Sequence, residues 1–165
     1  MAHTYLILGS NLGERLQYFI QAKKLLTGSV GKILQQSSIY ETEPWGFQDS
    51  NLFLNQVLLI DTALKPIALL NEIKNVENFL GRVLSNVRYS ARCIDIDILF
   101  YETLLIQTPE LEIPHPEIAN RRFVLEPLAE INPSLMHPVL KRTCAELLAD
   151  CKDVCKVMVL GVARD

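Results

Sequence analysis

The stretch Cys93-Ile94-Asp95-Ile96-Asp97-Ile98-Leu99-Phe100 decides how this chain is read. It is short, β-branched and otherwise apolar, so it reads as a buried β-strand. Side chains at i and i+2 of a strand share a face. Asp95 and Asp97 therefore project together, with Ile94, Ile96 and Ile98 on the opposite side. Two like charges side by side are costly unless something positive lies between them. A divalent cation with oxygen ligands fits that need, and Arg92 stands just upstream, which suggests a Mg²⁺–phosphate site.

The charge pattern around this strand points the same way. Between Asn75 and Leu140 there is no lysine, yet the segment holds five of the eight arginines: Arg82, Arg88, Arg92, Arg121 and Arg122. Guanidinium grips phosphate oxygens in a planar, bidentate manner that lysine cannot match. An arginine-only segment around paired aspartates reads as a polyphosphate site, or else as a solvated face with ordinary salt bridges. Composition alone leaves both open. The net charge of −3 argues against a general nucleic-acid binder.

The chain has 165 residues, enough for one domain with a proper core, and shows no linker, repeat or low-complexity tract. No apolar run reaches the length of a membrane span. Met1-Ala2-His3-Thr4 lacks a basic region followed by an apolar stretch, so no secretory leader is expected. Four cysteines (Cys93, Cys144, Cys151 and Cys155) have no paired CxxC spacing and read as reduced thiols of a cytoplasmic protein. Cys151 and Cys155 would stand one helical turn apart, but two further zinc ligands are missing.

Tyr5–Leu8 reads as a first strand, ending at Gly9-Ser10-Asn11. Asn11 with Glu14 has capping-box spacing, so a helix is expected over about 12–26. Its apolar stripe would be Leu16, Phe19, Ile20, Ala22 and Leu26, with Gly28 and Gly31 ending it. A second strand over 33–40, a loop over 41–50 and a third strand over 52–61 follow. Pro66 suits the first turn of a second helix, striped by Leu69, Leu70, Ile73, Val76 and Leu80 and closed by Gly81. Residues 82–92 read as a loop. The aspartate strand comes next, with a hairpin through Glu102-Thr103 into Leu104–Ile106. Short helices from Phe123 or Val124 to Ile131 and over Thr143–Ala149, then an edge strand within Val154–Val162, complete the chain. The order β-α-β-β-α-β matches the ferredoxin-like α+β plan, an antiparallel sheet with helices packed on it, here with C-terminal additions. That plan serves many unrelated activities.

Several motifs, in order along nearly the whole chain, carry a resemblance. They are Leu8-Gly9-Ser10-Asn11-Leu12-Gly13, Ser38-Ile39-Tyr40-Glu41-Thr42-Glu43-Pro44 and Phe53-Leu54-Asn55. Glu77-Asn78-Phe79-Leu80-Gly81-Arg82 and Arg92–Ile98 follow, then Ile113-Pro114-His115-Pro116 and Asn120-Arg121-Arg122-Phe123-Val124-Leu125 with Pro127-Leu128. On these the chain resembles the 6-hydroxymethyl-7,8-dihydropterin pyrophosphokinases of folate biosynthesis. The resemblance implies transfer of the β,γ-pyrophosphoryl group of ATP to the pterin hydroxymethyl group, with two Mg²⁺ ions held by Asp95 and Asp97. It implies catalytic Arg82 and Arg92, and ATP contacts from Lys74, Glu77, Arg82, Arg88, Tyr89, Arg92, Ile98, His115 and Arg121. It places the pterin among Thr42, Pro44, Trp45, Phe53, Asn55, Asp95 and Phe123, with the two phenylalanines stacking on the ring.

Each of these residues also has a plainer reading. Phe53 and Phe123 could be core residues, His115 between two prolines a turn residue, and Arg122 a surface charge. His3 and His137 carry no signal. The chain departs from the family pattern at Leu84, Tyr89, Ser90-Ala91 and Lys74. Two rivals remain: a non-catalytic ligand-binding module, separable by Mg²⁺-dependent nucleotide binding, and another Mg²⁺-dependent phosphotransferase or hydrolase, separable by pterin binding. The expected partners are small molecules only, and the expected state is a monomer.

Overall fold

A computed structural model describes residues 1–43, 52–81 and 93–161. Four segments carry the core sheet: β1 (Ala2–Ser10), β4 (Phe53–Thr62), β5 (Asp95–Tyr101) and the pair β2 (Gly31–Gln36) and β3 (Ile39–Thr42). β1 is the centre, pairing antiparallel with β4 on one side and β5 on the other. β2 and β3 both pair antiparallel with β4, β2 against residues 58–62 and β3 against residues 53–55. They act as one interrupted strand, so the core order is the ferredoxin-like one expected. β8 (Val157–Gly161) adds an edge beside β3, the edge strand expected from the tail.

The expected single strand over 33–40 is thus two, and the break has a cause. At Ser37-Ser38 the ladder gives way to side-chain bonds. The Ser37 Oγ accepts from Val57 N at 3.0 Å, and Ser38 N and Oγ both donate to Glu130 Oε1, at 2.9 and 2.8 Å. Serines compete with ladder bonds in this way. No buried backbone group needs to go unpaired at the kink.

β1 and β4 are apolar on both faces, so both must be covered. Leu6, Leu8, Leu54, Leu58 and Ile60 pack under α1 (Arg15–Ser29) and α2 (Pro66–Phe79). Tyr5, Ile7, Val57 and Leu59 pack under α3 (Arg122–Ile131) and α4 (Cys144–Ala149). The C-terminal helices therefore form a second layer on the opposite face.

Three expectations need correction. First, α1 begins at Arg15, not near Leu12, and Glu14 rather than Asn11 stands at its N-cap without a side-chain cap bond. Asn11 is buried, and Gly13 at φ +67° turns the chain before the helix starts. Gly28 lies inside the helix, and only Phe19, Ala22 and Leu26 of the expected stripe are buried. Leu16 (47% exposed) and Ile20 (55%) face solvent. At 3.6 residues per turn they sit well round the helix from Ala22 and Leu26.

Second, the strand after β5 is not its hairpin partner. The chain does turn at Glu102, at φ +48°. However, β6 (Ile106–Gln107) pairs with β7 (Glu112–Ile113). Thr108 closes that turn, its N–H bonding Leu111 O at 3.0 Å and its Oγ1 accepting from Leu111 N at 3.1 Å. Third, Cys151 and Cys155 lie in a non-helical segment after α4, so the one-turn spacing does not arise. The four cysteines are free, and burial pushes the Cys144 thiol up to about 11. The expected loops lie mostly outside the described residues, in segments 44–51 and 82–92. α2, with Pro66 in its first turn and Gly81 just beyond it at φ +80°, forms as read. So does α4, where Thr143 and Glu146 make a reciprocal capping box.

Candidate active site

Register brings the candidate residues together. Gly9 of β1 pairs with Asp95 of β5 on one side and with Asn55 of β4 on the other, and Asn55 pairs in turn with Tyr40 of β3. Neighbouring strands lie about 4.8 Å apart, so Asp95 and Asn55 flank Gly9 across roughly 10 Å. Strand alternation puts Asp95, Asp97, Gly9, Asn55 and Phe53 on the α3 side, the face of Tyr5, Ile7 and Val57. Ile94, Ile96 and Ile98 pack in the core on the other side, as expected.

Because Gly9 carries no side chain, the space over it between Asp95 and Asn55 is the candidate hollow for a ligand. A Cβ there would lie 3.4 Å from Asn55 Oδ1 and 4.0 Å from Phe53 Cδ1. Asn55 is 4% exposed, and its Nδ2 donates to Thr42 Oγ1 at 2.8 Å. That bond fixes the amide and leaves its oxygen beside Gly9, an acceptor at the end of the hollow.

The strand β5 is held from behind. Glu77 of α2 is 3% exposed, and its Oε1 accepts from Ile96 N at 2.8 Å, between the two aspartates. A carboxylate thus occupies a main-chain donor that an edge strand would otherwise leave open. Asp95 and Asp97 are half-buried, as side chains shared between strand and solvent should be. Among the described residues no group of three or more His, Cys, Asp or Glu is placed to hold a metal. The donor set is two carboxylates on one face. Such a set suits Mg²⁺, which keeps waters and takes substrate phosphates as its other ligands.

The roof comes from the segment after β7. The Ile113–Pro114 peptide is cis, and His115 N bonds Leu99 O at 3.0 Å, fastening this segment to β5. The His115 Nδ1 accepts from Glu117 N at 3.1 Å. The ring is therefore neutral with its proton on Nε2. Burial, and then the charge of Arg121, lower its pKa to about 4, against the opposing pull of Glu117 and Asp95. Arg121 lies with its guanidinium carbon 5.8 Å from the Phe123 ring centre, a cation–π arrangement.

Arg122 is not a surface charge. Its Nε donates to Asp153 O at 2.9 Å, its Nη2 to Cys151 O at 3.0 Å, and its N–H to Asp153 Oδ2 at 3.0 Å. Asp153 so caps α3 from a distance, where Arg121 at the N-cap offers no side-chain bond. His137 is buried and structural, its Nδ1 accepting from Val139 and Leu140 N–H groups.

The sequence-derived residues divide accordingly. Asp95, Asp97, Asn55, Thr42 and Phe53 share one face of the sheet. His115, Arg121 and Phe123 belong to the segment over that face. Lys74 is exposed on α2, and the Ile98 side chain is in the core on the opposite face. Pro44, Trp45, Arg82, Arg88, Tyr89 and Arg92 lie outside the described residues. Sequence reading missed Glu130, which holds Ser38 and accepts from Tyr40 Oη at 2.6 Å. A single glutamate in an amphipathic helix gives no signal of such a role. It also missed Gly9 between Asp95 and Asn55, which follows only from register.

Comparison with known proteins bears on the family. Residues 5–133 match the family model described as 7,8-dihydro-6-hydroxymethylpterin-pyrophosphokinase (HPPK). A 2-amino-4-hydroxy-6-hydroxymethyldihydropteridine pyrophosphokinase of Aquifex aeolicus is 41% identical over 146 residues, 88% of this chain and 90% of that one. The Bacillus subtilis protein of the same name is 44% identical over 128 residues, 77% of this chain and 76% of that one. The folic acid synthesis protein fol1 of Pneumocystis carinii is 42% identical over 135 residues, 82% of this chain but only 18% of that longer one. Among solved structures, Plasmodium falciparum HPPK-DHPS superposes with a TM-score of 0.71 at 17% identity, over 90% of this chain and 44% of that one, which bears on the fold alone. With the family model matched over most of its length, this chain belongs to the 7,8-dihydro-6-hydroxymethylpterin-pyrophosphokinase family.

Proposed function

We infer that this protein transfers the β,γ-pyrophosphoryl group of ATP to the hydroxymethyl oxygen of 6-hydroxymethyl-7,8-dihydropterin in folate biosynthesis. The hydroxymethyl oxygen bonds to the β-phosphorus and loses its proton. The bond from that phosphorus to the α,β-bridging oxygen breaks, and AMP leaves with that oxygen. The observation that carries this reading is the register that sets Asp95, Gly9 and Asn55 side by side within the family-matched region. It puts a carboxylate pair suited to phosphate-bound metal next to a polar hollow suited to a flat heterocycle.

Asp95 and Asp97 would hold two Mg²⁺ ions, which when bound offset phosphate charge. Asn55 Oδ1 would accept from a pterin N–H, its orientation set by Thr42. A site built to pair such a group rejects analogues that lack it. Phe53 and Phe123 would bracket the ring, and Pro44 and Trp45 would add to that end. Arg121, beside the Phe123 ring, would reach the phosphates from the pterin side. Neutral His115 would donate through Nε2 to a phosphate oxygen. Arg82 and Arg92 would stabilise the charge that shifts during transfer, with Lys74, Glu77, Arg88, Tyr89 and Ile98 lining the nucleotide side. Residues 1–165 would act as one domain, as a monomer in the cytoplasm. Consistent with that, no helix among the described residues is long and apolar enough to cross a membrane.

The test is nucleotide chromatography after incubation with ATP and Mg²⁺, with and without the pterin. AMP that forms only with pterin, and stops with a chelator, supports the reading. AMP formed without pterin would make this a nucleotide hydrolase, ADP in place of AMP an ordinary kinase, and unchanged ATP a binding module.

A further inference from the structure

Arg15 sits where its own helix gains nothing from it. It is the first residue of α1, at the positive end of the helix dipole, where a cation is unfavourable. Its guanidinium instead reaches across to the sheet. Nη1 lies 3.0 Å from Glu41 Oε2 and donates to the carbonyl of Leu52 at 2.8 Å. Both contacts are partly buried, with side-chain exposures of 30% for Arg15 and 20% for Glu41.

The two anchors have telling neighbours. Glu41 precedes Thr42, the last residue of β3, and Leu52 precedes Phe53, the first of β4. Thr42 and Phe53 are the final pair of that ladder. Beyond them the ladder ends, and segment 44–51 lies outside the described residues. Glu41 shares the α1 side with Ile39, while Thr42 bonds Asn55 on the α3 side. Arg15 therefore fastens the open end of the strand pair from behind, and the candidate pterin groups stand on the front.

We propose that Arg15 is a positioning residue for pterin binding, tying Glu41 to Leu52 so that Thr42, Asn55 and Phe53 keep the spacing the heterocycle needs. This rests on the assignment of the pterin to that hollow. The tie is partly open to solvent, where ion pairs add little stability. Its effect is geometric, and it acts on the pterin end alone, because Asp95, Asp97 and His115 lie beyond Gly9 on the β5 side.

The experiment measures pterin and ATP affinities separately, with steady-state KM and kcat, for Arg15→Ala, Glu41→Ala, Arg15→Glu, the charge swap Arg15→Glu with Glu41→Arg, and Phe53→Ala as control. Arg15→Ala should raise the pterin KM about tenfold, less than the roughly hundredfold that a 1 Å misplacement of reacting groups can cost. ATP affinity and kcat should stay within about twofold, since K and turnover separate when only ground-state positioning is lost. Glu41→Ala should do less, because Leu52 keeps its donor, and the swap should recover part of the loss of Arg15→Glu alone. Unchanged pterin KM in Arg15→Ala, with Phe53→Ala impaired, would overturn the clamp and leave the pocket standing. An unimpaired Phe53→Ala would overturn the pocket itself. Equal losses for ATP and pterin, or no recovery in the swap, would reduce Arg15 to a general structural role.

Discussion

At the residue scale, Asp95 and Asp97, the proposed metal ligands, contribute little to the core. Both are half-buried, and their strand is held by Glu77 and the isoleucines. Asp95→Ala and Asp97→Ala should abolish turnover while the circular dichroism melt stays near wild type. Turnover within a few-fold of wild type at saturating Mg²⁺ would remove them as metal ligands. Phe123→Ala should weaken pterin binding by about 1–3 kcal/mol, the range for losing an aromatic stacking platform, with ATP affinity nearly unchanged in calorimetry. His115 should titrate near pH 4 in the free protein, where an unperturbed histidine titrates near 6.5. The unfolded chain then binds a proton that the fold refuses. The stability His115 contributes is complete above pH 6.5 and is lost as pH falls toward 4. An NMR titration of its ring with a midpoint near 6.5 would contradict the lowering by burial.

At the element scale, the tightest constraint is where α1 meets β2. A Cβ on Gly31 would lie 2.1 Å from the carbonyl oxygen of Asp61, which is backbone and cannot swing aside. Gly31→Ala should therefore destabilise by about 3 kcal/mol, the upper part of the range for overpacking, as read by urea unfolding. A change under about 0.5 kcal/mol, the size of an ordinary surface substitution, would mean the strand start yields easily. Glycine is needed here for space, whereas sequence reading took Gly31 as a helix stop. Other element features were legible because local chemistry decides them. Pro66 marks the first turn of α2, Thr143 with Glu146 caps α4, and apolar alternation gives β1 and β4. What was not legible depends on distant partners. The Ser37-Ser38 break is fixed by Glu130, about ninety residues away, and α3 is capped by Asp153 rather than by a neighbour. The exposure of Leu16 and Ile20 follows from how α1 lies on the sheet, which its own periodicity does not determine.

At the scale of the whole molecule, the sheet divides the labour. Its α1/α2 face is core and support, and its α3 face carries the carboxylates, the polar hollow and, over them, His115 and Phe123. The i, i+2 aspartates announced that face in the sequence, whereas the placement of Asn55 beside Asp95 across Gly9 needed strand order. With phosphate at the aspartates and the pterin beside Asn55, the proposed arrangement would expose the β-phosphorus to the pterin hydroxyl. Nothing in the chain resembles the Gly-x-x-x-x-Gly-Lys-Ser/Thr loop used for γ-phosphoryl transfer. Phosphorus NMR of one reaction with ATP, Mg²⁺ and hydroxymethyl-dihydropterin tests this most directly. AMP and pterin diphosphate should appear in equal amounts, with no ADP and no free phosphate, whereas ADP with a pterin monophosphate would contradict pyrophosphoryl transfer.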